Sequence, residues 1–229
     1  MTSVGDKLQQ VRRRIVQACT QAGRPVEGVA LLAVSKTFPA EAVREALAAG
    51  QRAFGENYVQ EALDKIDALA DARRQIEWHL IGPLQSNKTR PVAAAFDWVH
   101  SVDRLKIAQR LAEQRPADLA PLQVCLQVNI SGEASKSGLL PAELPEVAHA
   151  VAALPRLRLR GLMAIPESAG DFETQRVPHR RLSELLVALN AQGLALDTLS
   201  MGMSADLEAA IAEGATIVRV GTAIFGGRG

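Results

Sequence analysis

The feature that most constrains this chain is a recurrence. Short runs rich in Val, Leu, Ile and Ala, several of them apolar on both faces, alternate with longer segments whose apolar residues fall at helical spacing. Eight strand-like runs can be counted: Val29 to Lys36, Arg52 to Asn57, Glu77 to Gly82, Trp98 to Val102, Gln123 to Ile130, Arg160 to Ile165, Thr198 to Gly202 and Ile217 to Phe225. Between them lie helical patterns such as Val43, Ala46, Leu47 and Ile107, Ala108, Leu111. Helix punctuation agrees: Pro39 suits a first turn, Asp103 suits a cap, and Gly50 and Gly193 suit helix ends. Buried parallel strands joined by helical crossovers predict an α/β fold, a single (β/α)8 TIM barrel filling residues 1–229, ahead of a doubly wound sheet or two small domains. An extra N-terminal helix is expected over about residues 4–22. Only four residues, Gly226 to Gly229, follow the last run, so this helix is expected to cover the seam they leave.

Composition narrows the function. Basic and acidic residues number 26 and 25, so no global field favours nucleic acid or an anionic membrane, and any anion site must be local. Cys19 and Cys125 lack metal or redox spacing and read as reduced thiols. The N-terminus, with Lys7 and Arg12 to Arg14 among Val4, Leu8, Val11 and Ile15, is amphipathic and unlike a signal peptide. No run is long enough to span a membrane, and a cytoplasmic protein is expected.

In a barrel, chemistry gathers where strands end, and phosphate is commonly held by the loops after strands seven and eight. The chain places polar groups at those ends: Ser35 and Lys36, Asn57, His79 and Gly82, Asn129, and Met163 near the sixth. The seventh ends in Ser200-Met201-Gly202-Met203-Ser204, and the eighth carries Arg219, Gly221 and Thr222. Lys36 shares the inward parity of Leu32 and Val34. A strand-terminal lysine is ordinarily a solvated cation, but inside a dry mouth its neutral, nucleophilic form is favoured. The Gly202 to Ser204 turn before a helix, beside Gly221-Thr222, has the layout of a phosphate site, although Gly and Ser are also ordinary turn residues. Arg219, flanked by apolar residues, should be buried, and a structural carboxylate partner is the plain expectation. His79 beside Trp78 reads first as a satisfied core histidine, the methionines first as packing, and the alternation Arg156, Arg158, Arg160 as a solvated face.

These residues fall in long blocks: Ala33-Val-Ser-Lys-Thr37, Phe54-Gly-Glu-Asn-Tyr-Val-Gln-Glu61, Trp78-His-Leu-Ile-Gly-Pro-Leu-Gln-Ser-Asn-Lys88, Lys136-Ser-Gly138, Leu199-Ser-Met-Gly-Met-Ser204 and Val218-Arg-Val-Gly-Thr-Ala-Ile-Phe-Gly226. In them the chain closely resembles the YggS/PROSC family, the pyridoxal phosphate homeostasis proteins. The resemblance implies a barrel like the cofactor domain of alanine racemase (fold type III), binding pyridoxal 5′-phosphate (PLP). Lys36 matches the family's Schiff-base lysine. Ser204 and the Gly221-Thr222 backbone match its phosphate grip, Arg219 the arginine facing the pyridine nitrogen, and Asn57 a residue beside the cofactor. His79, Met163, Ser200, Met201 and Gly202 complete the expected cofactor contacts, with no catalytic or metal-binding residue. Phe38 stands where many relatives carry a second lysine, and the chain stops where relatives often add an aromatic residue.

Such a site implies a carrier. PLP draws electrons best with its pyridine nitrogen protonated, and Arg219 opposes that charge. The racemases take a second acid/base, a tyrosine, from a separate β domain of a partner subunit; here Tyr58 and Cys125 are not evident replacements. The expectation is a monomer that binds PLP reversibly and passes it to apo-enzymes. A weak amino-acid racemase is the runner-up, and a barrel enzyme acting on a phosphorylated sugar a third reading. Lys136 is a candidate second amine, by default a solvated lysine.

Overall fold

The computed structural model describes residues 3–132, 137–167 and 170–227. Strands β1 (Ala30–Val34), β2 (Ala53–Glu56), β3 (Glu77–Leu80), β4 (Trp98–Val102), β5 (Leu122–Gln127), β6 (Leu157–Met163), β7 (Thr198–Ser200) and β8 (Ile217–Val220) pair in parallel in chain order. β8 then pairs with β1, so no edge is left open. Each strand is followed by one helix: α2 (Ala40–Ala48), α3 (Val59–Ala68), α4 (Thr89–Ala95), α5 (Leu105–Gln114), α6 (Leu144–Ala152), α7 (Phe172–Ala191), α8 (Leu207–Ala212) and α9 (Thr222–Phe225). Alternate side chains of the strands divide between two cores. The larger lies between barrel and helices and includes Phe54, Trp78, Leu80 and Val99. The smaller fills the interior with Leu32, Val34, Ile81, Trp98, Cys125, Met163 and Ile217.

The extra helix α1 (Val4–Gln21) starts at a capping box, in which Ser3 Oγ accepts from the Asp6 amide at 3.1 Å and the Asp6 carboxylate accepts from the Ser3 amide at 3.1 Å. Its stripe of Leu8, Val11, Ile15 and Cys19 is buried against α2, α8 and α9, where the first and last units of the barrel meet. Arg14 ties it there by donating to both Glu208 carboxylate oxygens at 2.9 Å and to Ser204 O at 3.0 Å.

Three local expectations are corrected. The apolar run 217–225 is not one strand: after Val220 the Gly221 carbonyl accepts from Ile224 and Phe225 amides at 2.8 and 2.9 Å, turning Thr222–Phe225 into α9. β6 begins at Leu157, ahead of the expected Arg160, so Arg158 and Arg160 belong to the strand; Arg158 is exposed, as a solvated face requires, and Arg160 is partly buried. One extra β6 residue between Leu159 and Gly161 shifts the register against β5, which brings Arg160 and Met163 to the barrel's inner side despite their opposite parity. Asp103 does not cap α5, since Arg104 occupies that position and Asp103 accepts from Arg104 Nη1 at 2.8 Å. Gly50 and Gly193 do end helices, with φ of 87° and 95°. Among the described residues no helix is long and apolar enough to cross a membrane.

Candidate functional site

A cavity of about 390 Å³ opens at the C-terminal ends of the strands, within the roughly 300–1,000 Å³ of small-molecule sites. Lys36, Asn57, Ser204, Arg219, Gly221 and Thr222 line it, with an apolar wall of Val34, Phe38, Ile81, Ile165 and Met203. A larger basin of about 850 Å³ lies at the N-terminal end among Arg52, Arg73, Arg74, Glu77, Arg158 and Arg160. Its inner guanidiniums are mostly engaged, Arg73 by Asp97 at 2.9 Å and Arg160 by Asp197 at 2.8 Å, and barrel chemistry is built at the other face. The mouth is therefore the candidate site.

Lys36 reaches the mouth because the two residues beside it are tied down from behind. Ser35 and Glu56 are fully buried, and Ser35 Oγ donates to Glu56 Oε1 at 2.6 Å. Lys65 on α3, 5% exposed, brings its ammonium to Glu56 Oε1 (2.7 Å), the Ser35 carbonyl (2.7 Å) and Glu61 Oε1 (2.8 Å). Burial pushes the Glu56 carboxyl up, and Lys65 and Ser35 pull against that rise. Glu61 also accepts from the Thr37 amide at 2.6 Å, which holds Thr37 at φ 66°, a left-handed backbone that a β-branched residue adopts only under such constraint. The network turns the chain sharply after Ser35 and leaves Lys36 half-buried at the rim, with no ion pair among the described residues.

Arg219 is 4% exposed, and its bonded partners are neutral: the Ser200 carbonyl and hydroxyl from Nη1, and the Ala164 carbonyl from Nη2 at 2.8 Å. The expected carboxylate partner is absent from this set, and Asp206 acts on the guanidinium only from a distance. Burial lowers Arg219 to about 10, so it remains a cation at neutral pH. Asn57 Oδ1 is a buried acceptor with no partner on the wall of the same cavity. Its backbone is pressed against Gly82, where a Cβ would fall 2.1 Å from the Asn57 carbonyl oxygen, so only glycine allows β2 and β3 to meet this closely. Gly221 is also closely packed, since a Cβ there would sit 3.0 Å from the Val34 carbonyl and would need the neighbouring strand to give by a few tenths of an ångström. Of the α9 amides that follow, those of Ile224 and Phe225 are taken by the Gly221 carbonyl, while those of Thr222, on the cavity, and Ala223 have no acceptor among the described residues.

The other expected contacts lie elsewhere. His79, Met163 and Ser200 are buried inside the barrel and do not line the mouth. His79 Nδ1 lies 2.9 Å from His100 Nε2, and its Nε2 is 2.7 Å from Glu77 at the opposite face, which agrees with a satisfied core histidine. Met201 points outward into the core between barrel and helices. Gly202 contributes a carbonyl that accepts from the Arg219 amide at 2.9 Å, at φ 91°. The turn after β7 does not lead directly into a helix: α8 starts at Leu207, and the Met203 amide is already taken by Asp206 at 2.7 Å. Cys125 is fully buried, its thiol pushed up to about 12 by that burial, and Tyr58 sits half-exposed at the start of α3. Lys136 lies outside the described residues. Glu56, Glu61 and Lys65 lie close together in the chain, and what the sequence did not show is that they meet Ser35 and Thr37 behind Lys36; His100 acts through Ser200, 100 residues away.

A family model described as "Alanine racemase, N-terminal domain" matches residues 7–229. A protein of Pseudomonas aeruginosa named "Pyridoxal phosphate homeostasis protein" is 64% identical, over all of this chain and 97% of its own length. One of the same name from Escherichia coli is 56% identical, over all of this chain and 98% of its own. The solved structure of PipY from Synechococcus elongatus with PLP bound superimposes with a TM-score of 0.85 at 38% identity, covering 98% of this chain and all of that one.

Proposed function

The chain belongs to the alanine racemase N-terminal domain family and, within it, to the pyridoxal phosphate homeostasis proteins, and on that footing we propose that it holds PLP reversibly at the barrel mouth, as a Schiff base on Lys36, for release to apo-enzymes. The observation that carries this reading is the convergence of complementary groups on one cavity. Lys36 and Arg219 have no bonded carboxylate among the described residues, Asn57 offers a buried acceptor lacking a donor, and Thr222 at the start of α9 has an amide without an acceptor. These fit the groups of the cofactor in turn: the amine for its aldehyde, Ser204 with the Gly221-Thr222 backbone for its phosphate, and Arg219 for its pyridine nitrogen.

When bound, PLP supplies an electron sink that deepens as its ring nitrogen gains a proton. Arg219 donates hydrogen bonds and disfavours a second positive charge beside it, so the residues present bind and shield an aldehyde better than they assist carbanion chemistry. A racemase needs a second acid/base at the site. The Cys125 thiol is held protonated below the mouth, and Tyr58 is not on the cavity wall. The protein works as a single domain of residues 1–229, as a cytoplasmic monomer whose partners beyond PLP are apo PLP-dependent enzymes.

The test is an absorbance spectrum of purified protein before and after borohydride, with peptide mapping of the reduced adduct. A yellow protein with label on Lys36, lost in Lys36→Ala, supports the proposal; a persistent adduct redirects it to Lys88 or Lys136, and a colourless protein that takes up no PLP overturns it. Incubation with L-amino acids in deuterated water separates carrier from racemase, since α-deuteration at enzymatic rates belongs only to the latter.

A further inference from the structure

Beneath the mouth, four hydrogen bonds run through the barrel from one face to the other. Arg219 Nη1 lies 2.9 Å from Ser200 Oγ, Ser200 Oγ 2.7 Å from His100 Nδ1, His100 Nε2 2.9 Å from His79 Nδ1, and His79 Nε2 2.7 Å from Glu77 Oε1. Ser200 and His100 are fully buried and His79 nearly so, while the Glu77 side chain is 51% exposed at the N-terminal face. Trp98 stacks on His79 with centroids 5.4 Å apart and planes 9° from parallel, and His100 meets the same ring at 5.1 Å. Both rings are thus confined.

With both histidines neutral, the two ends of this string fix the order between them. A guanidinium only donates, so Ser200 Oγ accepts from Arg219 and its own proton goes to His100 Nδ1. His100 then carries its proton on Nε2 and gives that bond to His79 Nδ1, and His79 carries its proton on Nε2 and donates to Glu77. A carboxylate at the far end completes the order, and Glu77 is held below the usual carboxylate range, first by the His79 hydrogen bond. In this order both histidines are Nε2–H tautomers. A proton added to His100 would turn Nδ1 into a donor, force Ser200 to accept twice, and set a second cation beside the guanidinium. In keeping with this, burial first, with the Arg219 cation adding to it, holds His100 well below its ordinary value. The other charged or titratable groups facing the string are Arg160 on β6, over the Trp98 ring at 4.9 Å, Cys125 on β5, and Asp206 beyond β7.

We propose that Ser200, His100 and His79 are positioning residues that hold Arg219 as a hydrogen-bond donor at the mouth through one string of fixed donor direction ending on Glu77. The proposal rests on the reading of Arg219 as the cofactor-facing cation. Its closing experiment has one arm without cofactor and one with it. In the PLP-free chain, ¹⁵N-resolved NMR of the imidazoles should show Nε2–H neutral tautomers at His79 and His100, with His100 failing to titrate as pH falls through 6.5. In the PLP-loaded chain, His100→Leu removes the acceptor that orients Ser200, and cofactor should bind about tenfold more weakly, as for loss of one bond to a charged group. The pH midpoint of the bound cofactor's absorbance should shift with it. His100→Asn restores an acceptor near the Nδ1 position and should recover most of both. An Nδ1–H tautomer on either ring, or a His100→Leu variant indistinguishable from the parent in affinity and pH midpoint, overturns the proposal. A parent chain that takes up no PLP overturns the cofactor reading and the role of the string in it, while the tautomers still report its hydrogen-bond order.

Discussion

Lys65→Met tests the buried network that presents Lys36. Methionine keeps the length and flexibility of the stem but removes the ammonium that meets Glu56, Ser35 and Glu61 at 2.7, 2.7 and 2.8 Å. Glu56, fully buried, keeps only the Ser35 hydroxyl as a donor, and its Oε2 already lacks one. Breaking a buried ion pair by removing one partner costs about 3–5 kcal/mol, a large share of a domain's roughly 5–15 kcal/mol. Urea unfolding at pH 7 should show a loss of that size. The pH dependence identifies the cause. Burial already raises the Glu56 carboxyl, and without Lys65 it rises further. A carboxyl raised in the folded state contributes stability below its unfolded value and loses it as pH rises through the folded one. The deficit should therefore shrink on acidification from pH 7 toward 5, and Lys65→Met with Glu56→Gln should be more stable than Lys65→Met alone. A loss under about 1 kcal/mol, equal at both pH values, would refute the reasoning.

Ser204→Ala should weaken PLP retention by about 1–3 kcal/mol, the worth of one charge-assisted hydrogen bond, and an unchanged dissociation constant in equilibrium titration would remove Ser204 from the phosphate grip. Cys125, its thiol pushed up to about 12 by burial, should resist a thiol-reactive dye at pH 8 until the chain unfolds; rapid labelling of the native protein would contradict that burial. Light scattering should give the mass of one 24.5 kDa chain, and twice that mass would overturn the monomer.

The eight strands and their crossovers were legible because each is a local property: a short apolar run, a change of period, a glycine where a helix stops. Strand ends were legible too, which is why Lys36, Asn57, Ser204, Arg219, Gly221 and Thr222 fall on one cavity. Less legible were residues near a change of path or of depth. Thr222 to Phe225 continue an apolar run but turn helical, and Met201 follows inward-facing Ser200 and so points out. His79 shares the inward face but sits a layer below the mouth.

By itself the sequence determined the barrel, its added helix and the lysine at the rim, since hydrophobic period and strand ends are written residue by residue. Only the tertiary structure decided which polar groups meet. Closing the barrel brings His79 to His100, 21 residues on, and His100 to Ser200, a further 100 away, and it buries Glu56 against Lys65. Those bonds depend on register, bulges and depth inside a closed sheet, and these are properties of all eight strands together and of no single segment.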